Sequence, residues 1–148
     1  MRKILFIILA VVLAGCSAVA SASSELEQNR ALWEQQDSQN YSFELFILCF
    51  CPYGGQMPLS IVVSDGEVVS LATADGSDPG PSLEYFSQAD TIEELFDIIE
   101  TAQSGAADEV KVQYDPDYGY PVSIDIDYIE EAIDDEISYQ VANLEFLP

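Results

Sequence analysis

Three cysteines are the residues of this chain best equipped for chemistry, because the 148-residue sequence contains no histidine. Histidine is the commonest general base, a member of most nucleophilic triads and the commonest protein ligand of transition metals. Without it, the chain offers no recognisable catalytic constellation or cofactor motif. We therefore expect a protein that is not an enzyme, with no catalytic residues, no cofactor and no bound metal.

Cys49 and Cys51 are separated by one residue, a spacing that leaves three interpretations open. In an oxidising compartment they form a disulfide; as metal ligands, two thiolates without histidine are an incomplete set; and both could be buried structural thiols. Alternate residues of a strand point the same way, but a disulfide requires the backbone to bend there. Pro52 and the turn Tyr53-Gly54-Gly55 would allow that bend, so we expect the two cysteines to be joined to each other.

The third cysteine, Cys16, completes a pattern typical of exported lipoproteins. Met1-Arg2-Lys3 is a charged start, residues 4–13 form an apolar run too short to span a membrane, and Leu13-Ala14-Gly15-Cys16 matches the bacterial lipobox. The match predicts a signal peptide over residues 1–15 and a lipid on Cys16. Residues 16–24 would form a flexible tether, and residues 25–148 a single acidic domain. The residue after the lipidated cysteine is Asp in lipoproteins that are retained and not sorted to the outer membrane. Here that residue is Ser17, which implies an outer-membrane lipoprotein facing the periplasm.

The charge of the chain excludes several classes of partner. The sequence contains 27 acidic and 4 basic residues, and loss of Arg2 and Lys3 with the signal peptide leaves two basic residues and a net charge of −25. Such a protein repels phosphate, so we expect no nucleic-acid partner, and it repels anionic head groups, so membrane attachment must come from acyl chains. The crowded carboxylates of residues 115–136 lack a calcium-loop pattern, which favours a solvated acidic face over a Ca²⁺ site.

The hydrophobic pattern predicts an α+β domain, an antiparallel sheet of about six strands with two helices on one face. Leu26, Arg30 and Trp33 share one face of a helix over residues 25–36. Thr91 and Glu94 form a capping box ahead of a second helix with a clean apolar stripe. Alternation predicts strands over residues 41–51, 59–64, 67–73, 110–115, 122–128 and 137–142, with a long loop over residues 74–90.

The two halves of the domain share a local motif. Pro58-Leu59-Ser60-Ile61 and Pro121-Val122-Ser123-Ile124 each follow the first strand of a half made of one helix and three strands. The shared motif and the matching order of elements favour duplication of a helix-plus-three-strand unit. In such a duplication Pro58 would superpose on Pro121, and Ile61 on Ile124.

Further motifs extend across the whole domain. They are, in chain order, Asn29-Arg30-Ala31-Leu32-Trp33, Tyr41, Cys49-Phe50-Cys51-Pro52, Asp65-Gly66-Glu67-Val68-Val69, Thr91-Ile92-Glu93-Glu94-Leu95-Phe96, Tyr114-Asp115-Pro116-Asp117-Tyr118-Gly119-Tyr120-Pro121 and Asp134-Asp135-Glu136-Ile137-Ser138-Tyr139. In this combination the chain resembles the DUF6174 family, bacterial lipoproteins of uncharacterised function. The resemblance implies an envelope location. It implies no activity, because the family has none assigned.

Phe46, Leu48 and Phe50 alternate with the core residues of their strand, so we expect them on its opposite face. An apolar patch there is either a partner-binding site or a surface covered by Tyr85 and Phe86 of the long loop. The expected function is therefore a membrane-anchored, non-enzymatic module that binds an unidentified envelope protein. The alternative is a thiol-dependent redox or metal-handling protein that uses Cys49 and Cys51.

Overall fold

The computed structural model describes residues 16–36 and 39–148. The signal peptide predicted for residues 1–15 lies outside this part of the chain. The elements, in chain order, are helix α1 (Cys16–Glu34), strands β1 (Tyr41–Cys49), β2 (Leu59–Ser64) and β3 (Glu67–Ala72), helices α2 (Leu83–Phe86) and α3 (Ile92–Thr101), and strands β4 (Glu109–Tyr114), β5 (Pro121–Asp127) and β6 (Ile137–Phe146).

The six strands form one antiparallel sheet in the order β3-β2-β1-β6-β5-β4. Strands β1 and β6 lie side by side at its centre and pair Ile47 with Tyr139. Asp65 and Gly66 both adopt positive φ angles and connect β2 to β3 in the tight hairpin that their sequence predicts. The α+β architecture with a six-stranded antiparallel sheet is confirmed.

The core lies between one face of the sheet and helices α1 and α3. Every second residue of β1 points into it, and the first four of these side chains, from Tyr41 to Ile47, are each no more than 2 % exposed. The buried side chains of β1, α1 and α3 are Tyr41, Phe43, Leu45, Ile47, Leu26, Trp33, Ile92, Leu95, Phe96 and Ile99. Both predicted helices therefore pack on the same face of the sheet.

Helix α3 begins where its sequence predicts. The Thr91 hydroxyl accepts a hydrogen bond from the Glu94 backbone N–H at 3.1 Å, and the Glu94 carboxylate accepts one from the Thr91 N–H at 3.2 Å. This reciprocal capping box satisfies two donors that the first helical turn would otherwise leave unpaired. At the other end, Gly105 has a φ of +105° and turns the chain away from the helix.

Glu93 connects α1, β1 and α3. Its carboxylate accepts hydrogen bonds from the indole N–H of Trp33 at 2.9 Å and from the hydroxyl of Tyr41 at 2.8 Å. The Tyr41 oxygen in turn accepts from the backbone N–H of Ile92 at 3.1 Å. Burial, followed by the charge of Glu93, raises the pKa of Tyr41 well above its usual range, so its hydroxyl remains a donor at physiological pH.

The turn before β5 packs against α1 through Gly119, which is buried and has a φ of +81°. A Cβ atom at this position would collide with the carbonyl oxygen of Asn29 and lie 2.9 Å from the Cβ atom of Leu32. Only glycine combines the positive φ angle with so close an approach. Asp115 supports the same turn by accepting a hydrogen bond from the Tyr118 N–H at 2.8 Å.

Several element boundaries differ from those predicted; for example, β6 continues to Phe146, beyond the predicted end at residue 142. Helix α1 begins at Cys16, so residues 16–24, predicted as a flexible tether, have helical backbone instead. Alanine and serine are compatible with a helix, and no glycine or proline occurs in this stretch to end it. Strand β1 ends at Cys49, whereas the alternating pattern predicted a strand as far as Cys51.

The two halves of the domain are not copies of one superposable unit. Pro58 directly precedes β2 and Pro121 opens β5, and both Ile61 and Ile124 are fully buried, so the shared motif does mark equivalent middle strands. The series β1, β2, β3 and the series β4, β5, β6 both step across the sheet toward the β3 edge. Their first strands, β1 and β4, nevertheless run antiparallel to each other. No rotation that keeps the helices on one face superposes two such halves, so the structure does not contain the predicted duplication.

Candidate binding surface

The face of the sheet turned away from the helices carries Phe46 and Leu48, as predicted. The register pairs Phe46 with Gln140 and Leu48 with Ser138, so these four side chains share one face. The buried side chains of α1, α2 and α3 all belong to the core on the other face. In the part of the chain that the structure describes, this outer face is open.

Exposure of the apolar patch increases toward the end of β1. Phe46 is half-buried, Leu48 is 50 % exposed and Phe50 is 81 % exposed. Phe50 lies just beyond the end of β1, not within the strand as predicted. Burying such a side chain in a partner would stabilise the complex by about 2 kcal/mol, so the ring of Phe50 is the strongest candidate contact for a partner at this end of β1.

The long loop does not cover the patch. Phe86 is fully buried within the core, and the Tyr85 hydroxyl donates to the sulfur of Cys49 at 3.6 Å. Cys49 lies two residues after Ile47 on β1. Because alternate residues of a strand point the same way, Cys49 also faces the helix side of the sheet. Tyr85 and Phe86 therefore pack the loop against the core side of the sheet. Of the two alternatives predicted for the patch, covered by the loop or open, the structure shows the open one.

Cys49 and Cys51 flank Phe50 and are held together. Their sulfur atoms are in bonding contact, and their Cα atoms are 5.2 Å apart, within the usual range for disulfide-bonded residues. The pairing is the one that the sequence predicts. Because the ring that closes around Phe50 is so small, the backbone at Phe50 has few conformations, which restricts the positions that the exposed phenyl ring can occupy.

Several carboxylates share the outer face of the sheet with the patch. They are Glu44 on β1, Glu109 on β4, and Asp125 and Asp127 on β5. Lys111 lies among them and donates to Glu109 at 2.7 Å; this hydrogen bond, and then the charge of Glu109, raises the pKa of Lys111. Arg30, on the helix side, pairs with Asp97 at 3.0 Å and Glu100 at 3.2 Å. Both cations of the described chain are thus already paired with carboxylates, and the surface remains strongly anionic.

The acidic residues are used structurally where the structure shows their contacts. Asp115 Oδ1 accepts from the backbone N–H groups of Asp117 and Tyr118 and so stabilises the turn before β5. Asp125 accepts from the Ser138 hydroxyl on the neighbouring strand. Within residues 16–36 and 39–148, no group of three or more cysteine, aspartate or glutamate side chains is arranged to hold a metal ion.

The sequence profile of a family of unknown function, DUF6174, matches residues 25–146. The chain belongs to the DUF6174 family. The matched residues span α3, all six strands and most of α1, so the family unit is the whole sheet together with its helices. No curated protein and no solved structure matches this DUF6174 chain. None of the helices that the structure describes is both long and apolar enough to cross a membrane.

Sequence reasoning missed a second feature of this DUF6174 domain, a cleft on the helix side. Tyr85, Tyr128 and Tyr139 line it together with apolar residues of β1 and α3. Tyr128 and Tyr139 do follow the alternation that places residues on the inner face of β5 and β6. The strand register and the position of α2 bring Tyr128 and Tyr139 together with Tyr85. Neither the register nor that position can be derived from the alternation of residues along a strand.

Proposed function

We propose that this protein is a lipid-anchored, non-enzymatic binding module of the bacterial envelope. In this proposal its open sheet face docks onto a cationic protein partner, with Phe50 as the central contact. The observation that carries the proposal is the 81 % exposed ring of Phe50, held between two linked cysteines at the end of β1.

The restricted backbone of Phe50 supports its role as an anchor. A flexible side chain or loop loses conformational entropy on binding, whereas one already held in place loses less. Aromatic side chains are enriched in interface cores, and a few of them contribute most of the binding free energy. Leu48 and Phe46 extend the contact along β1, and the polar Gln140 and Ser138 beside them suit a rim that remains hydrated.

The charge of the surface supports a cationic protein as the occupant. Glu44, Asp125 and Asp127 lie on the same face as the patch, and the whole chain carries a net charge of −23 before any signal is removed. Such a field attracts Lys- and Arg-rich surfaces and speeds their association. An anionic bilayer would be repelled by the same field, so Phe50 is poorly placed to act as a membrane anchor itself.

The lipid on Cys16 supplies membrane attachment in this proposal, supported by the lipobox Leu13-Ala14-Gly15-Cys16. Helix α1 begins at Cys16, and Leu26 is the first buried side chain that the structure describes in it. The step of ten positions from Cys16 to Leu26 corresponds to about 15 Å of helix, enough to hold the domain clear of the head groups. Mass spectrometry of the mature N-terminus should find an acylated Cys16; an unmodified cysteine or a retained Met1 would contradict the anchor.

A photocrosslinking amino acid placed at position 50 tests the binding surface directly, with the same substitution at Val69 as the matched control. Val69 is 63 % exposed on the edge strand β3, so it matches Phe50 in being apolar and solvent-facing. The proposal expects a crosslink from position 50 to a polypeptide rich in Lys and Arg, and none of that product from position 69. A product that is only lipid, or the same product from both positions, overturns it.

The purified partner then gives the energetic test. Phe50→Ser should weaken its binding about tenfold or more, because an aromatic anchor is lost, while Val69→Ser leaves binding unchanged. Both variants should keep their thermal stability, since exposed side chains contribute little to folding. Equal affinities for Phe50→Ser and the unchanged protein would contradict the proposal.

The paired cysteines favour one second candidate, a thiol-dependent redox protein. Both cysteines are partly exposed, which leaves their sulfur atoms within reach of a thiol partner. Replacement of both by Ser separates the two functions. A binding module retains its partner at reduced affinity, because Phe50 remains but is less firmly held. A redox protein loses all activity in that variant and is unaffected by Phe50→Ser.

A further inference from the structure

A cleft of about 310 Å³ opens on the helix side of the sheet, separate from the outer face proposed to bind a protein. Its volume is at the lower end of the range for small-molecule sites. The side chains around it come from β1, α2, α3, β6 and the connections that follow α2 and β5. They are Ile47, Tyr85, Gln88, Ala89, Glu94, Asp97, Ile98, Thr101, Tyr128 and Tyr139.

Three tyrosines from different parts of the fold line this cleft. Tyr85 belongs to α2, Tyr128 follows β5, and Tyr139 lies on β6 directly opposite Ile47 of β1. Burial, then the neighbouring phenols, raises the pKa of both Tyr85 and Tyr139. Tyr85 and Tyr139 therefore present uncharged aromatic rings to the cleft at neutral pH, beside an apolar wall formed by Ile47 and Ile98.

The charged groups around the cleft favour a cationic ligand over an anionic one. Its lining contains the carboxylates of Glu94 and Asp97 and no cationic side chain. The nearest described cation, Arg30, pairs with Asp97 and with Glu100, and its guanidinium carbon lies 5.4 Å from the ring centre of Phe96. Arg30 is thus already engaged by two carboxylates and an aromatic ring, and an organic anion entering the cleft would find no free positive partner.

We infer that this cleft binds a small organic cation, an alkylammonium head with a short hydrocarbon part. Aromatic faces attract ammonium groups, and the attraction strengthens where water is excluded. The apolar wall of Ile47 and Ile98 accepts the hydrocarbon, while the Gln88 and Thr101 side chains can orient a hydroxyl or carbonyl of the ligand. The strongly negative charge of the whole chain raises the local concentration of such cations.

Choline and its neutral carbon isostere, dimethylbutanol, make a matched pair of probes, because they differ in the charge and hardly in shape. Binding is measured by calorimetry and by the shifts of the tyrosine ring signals in NMR spectra of the mature domain. We expect choline to bind about tenfold more tightly than dimethylbutanol, since a desolvated cation–π contact is worth about that factor. Equal affinity for the two probes, or no saturable response to choline, overturns the inference.

Variants of Tyr128 locate the site. Tyr128 is 39 % exposed, and Tyr118, 41 % exposed in the turn before β5, is a control of matched exposure outside the cleft lining. Tyr128→Phe retains the aromatic face and should keep choline affinity within about twofold, whereas Tyr128→Leu should lose about tenfold. Tyr118→Leu should leave choline binding unchanged. If Tyr128→Leu binds choline as tightly as the unchanged protein, the cation does not sit in this cleft.

Discussion

At the scale of single residues, Asp90 is a buried carboxyl group beside a second one. The side chain of Asp90 is nearly inaccessible, and Glu94 lies next to it, accepting a hydrogen bond from the Asp90 backbone N–H at 2.8 Å. Burial, then hydrogen bonding to Glu94 and the charge of Glu94, raises the pKa of Asp90 to about 7. The folded protein therefore holds this proton at a pH where an unfolded chain, with an ordinary aspartate pKa of about 3.9, has released it.

The raised pKa predicts that Asp90→Asn stabilises the protein at pH 8 and not at pH 4. Because the folded-state pKa is the higher one, the stabilisation present below about pH 4 is lost as the pH rises through 7. Asn resembles the protonated form and removes that loss, so urea unfolding at pH 8 should show a gain of about 1 to 2 kcal/mol, reduced from the full shift by solvent screening. At pH 4 the gain should vanish.

Glu84→Gln serves as the control for this measurement, since Glu84 is an exposed carboxylate of the neighbouring helix α2. It should change stability little at either pH, which separates the effect of Asp90 from the general relief of negative charge. An equal gain for Asp90→Asn at pH 4 and pH 8 would show that the carboxyl group does not titrate between them.

The residues that could be identified from the sequence are those whose role depends on near neighbours in the chain. The buried position of Trp33 and the outward direction of Leu48 follow from local periodicity, and the pairing of Cys49 with Cys51 was one of three interpretations that their spacing left open. Glu93 could not be identified in this way, because it accepts hydrogen bonds from side chains 52 and 60 residues distant in the chain. Its role depends on how α1, β1 and α3 meet.

At the scale of elements, the capping box of α3 is both the start of a helix and a support of the core. Helix α3 is only ten residues long, and four of them are buried against the sheet. A helix of this length is marginal in isolation, so the satisfied donors of its first turn matter for its stability. Glu94 also lines the helix-side cleft, which couples the cap to that surface.

Thr91→Ala removes the acceptor of the Glu94 N–H and should destabilise the protein by about 1 kcal/mol, the usual cost of losing a helix cap. Thr91→Ser is the matched control, because a serine hydroxyl can accept the same hydrogen bond. Chemical denaturation of the two variants should therefore show a shifted midpoint for Ala and an almost unchanged one for Ser. Equal destabilisation by both would mean that packing of the threonine methyl group, and not the cap, is responsible.

Element identity was more predictable than element arrangement. All six strands and the start of α3 follow from alternation, from the hairpin residues Asp65 and Gly66, and from the capping box. Helix α2 was missed because four residues are too few to show a helical period. The pairing of β1 with β6 joins Glu44 to Ala142 across nearly the whole domain, and one-dimensional periodicity carries no information on such a contact.

At the scale of the whole molecule, charge governs both stability and the proposed binding. The two cations that the structure describes, Arg30 and Lys111, are each paired with carboxylates. The remaining acidic residues repel one another, and this repulsion is strongest at low ionic strength. The same uncompensated charge is what attracts a cationic partner to the outer face.

Salt should therefore act on the free protein and on its complex in opposite directions. Raising the ionic strength from about 0.02 M to 0.5 M shortens the screening length severalfold, so the melting temperature of the free protein should rise as repulsion weakens. Over the same range, the affinity for the cationic partner should fall, mainly through slower association.

Phe50→Ser should shift the affinity at every salt concentration and leave its salt dependence unchanged, because it removes an apolar contact. Combined Glu44→Gln and Asp127→Asn should reduce the salt dependence itself. If that double variant and Phe50→Ser produced the same pattern, the apolar anchor and the charged surround would not be separate contributions to one interface.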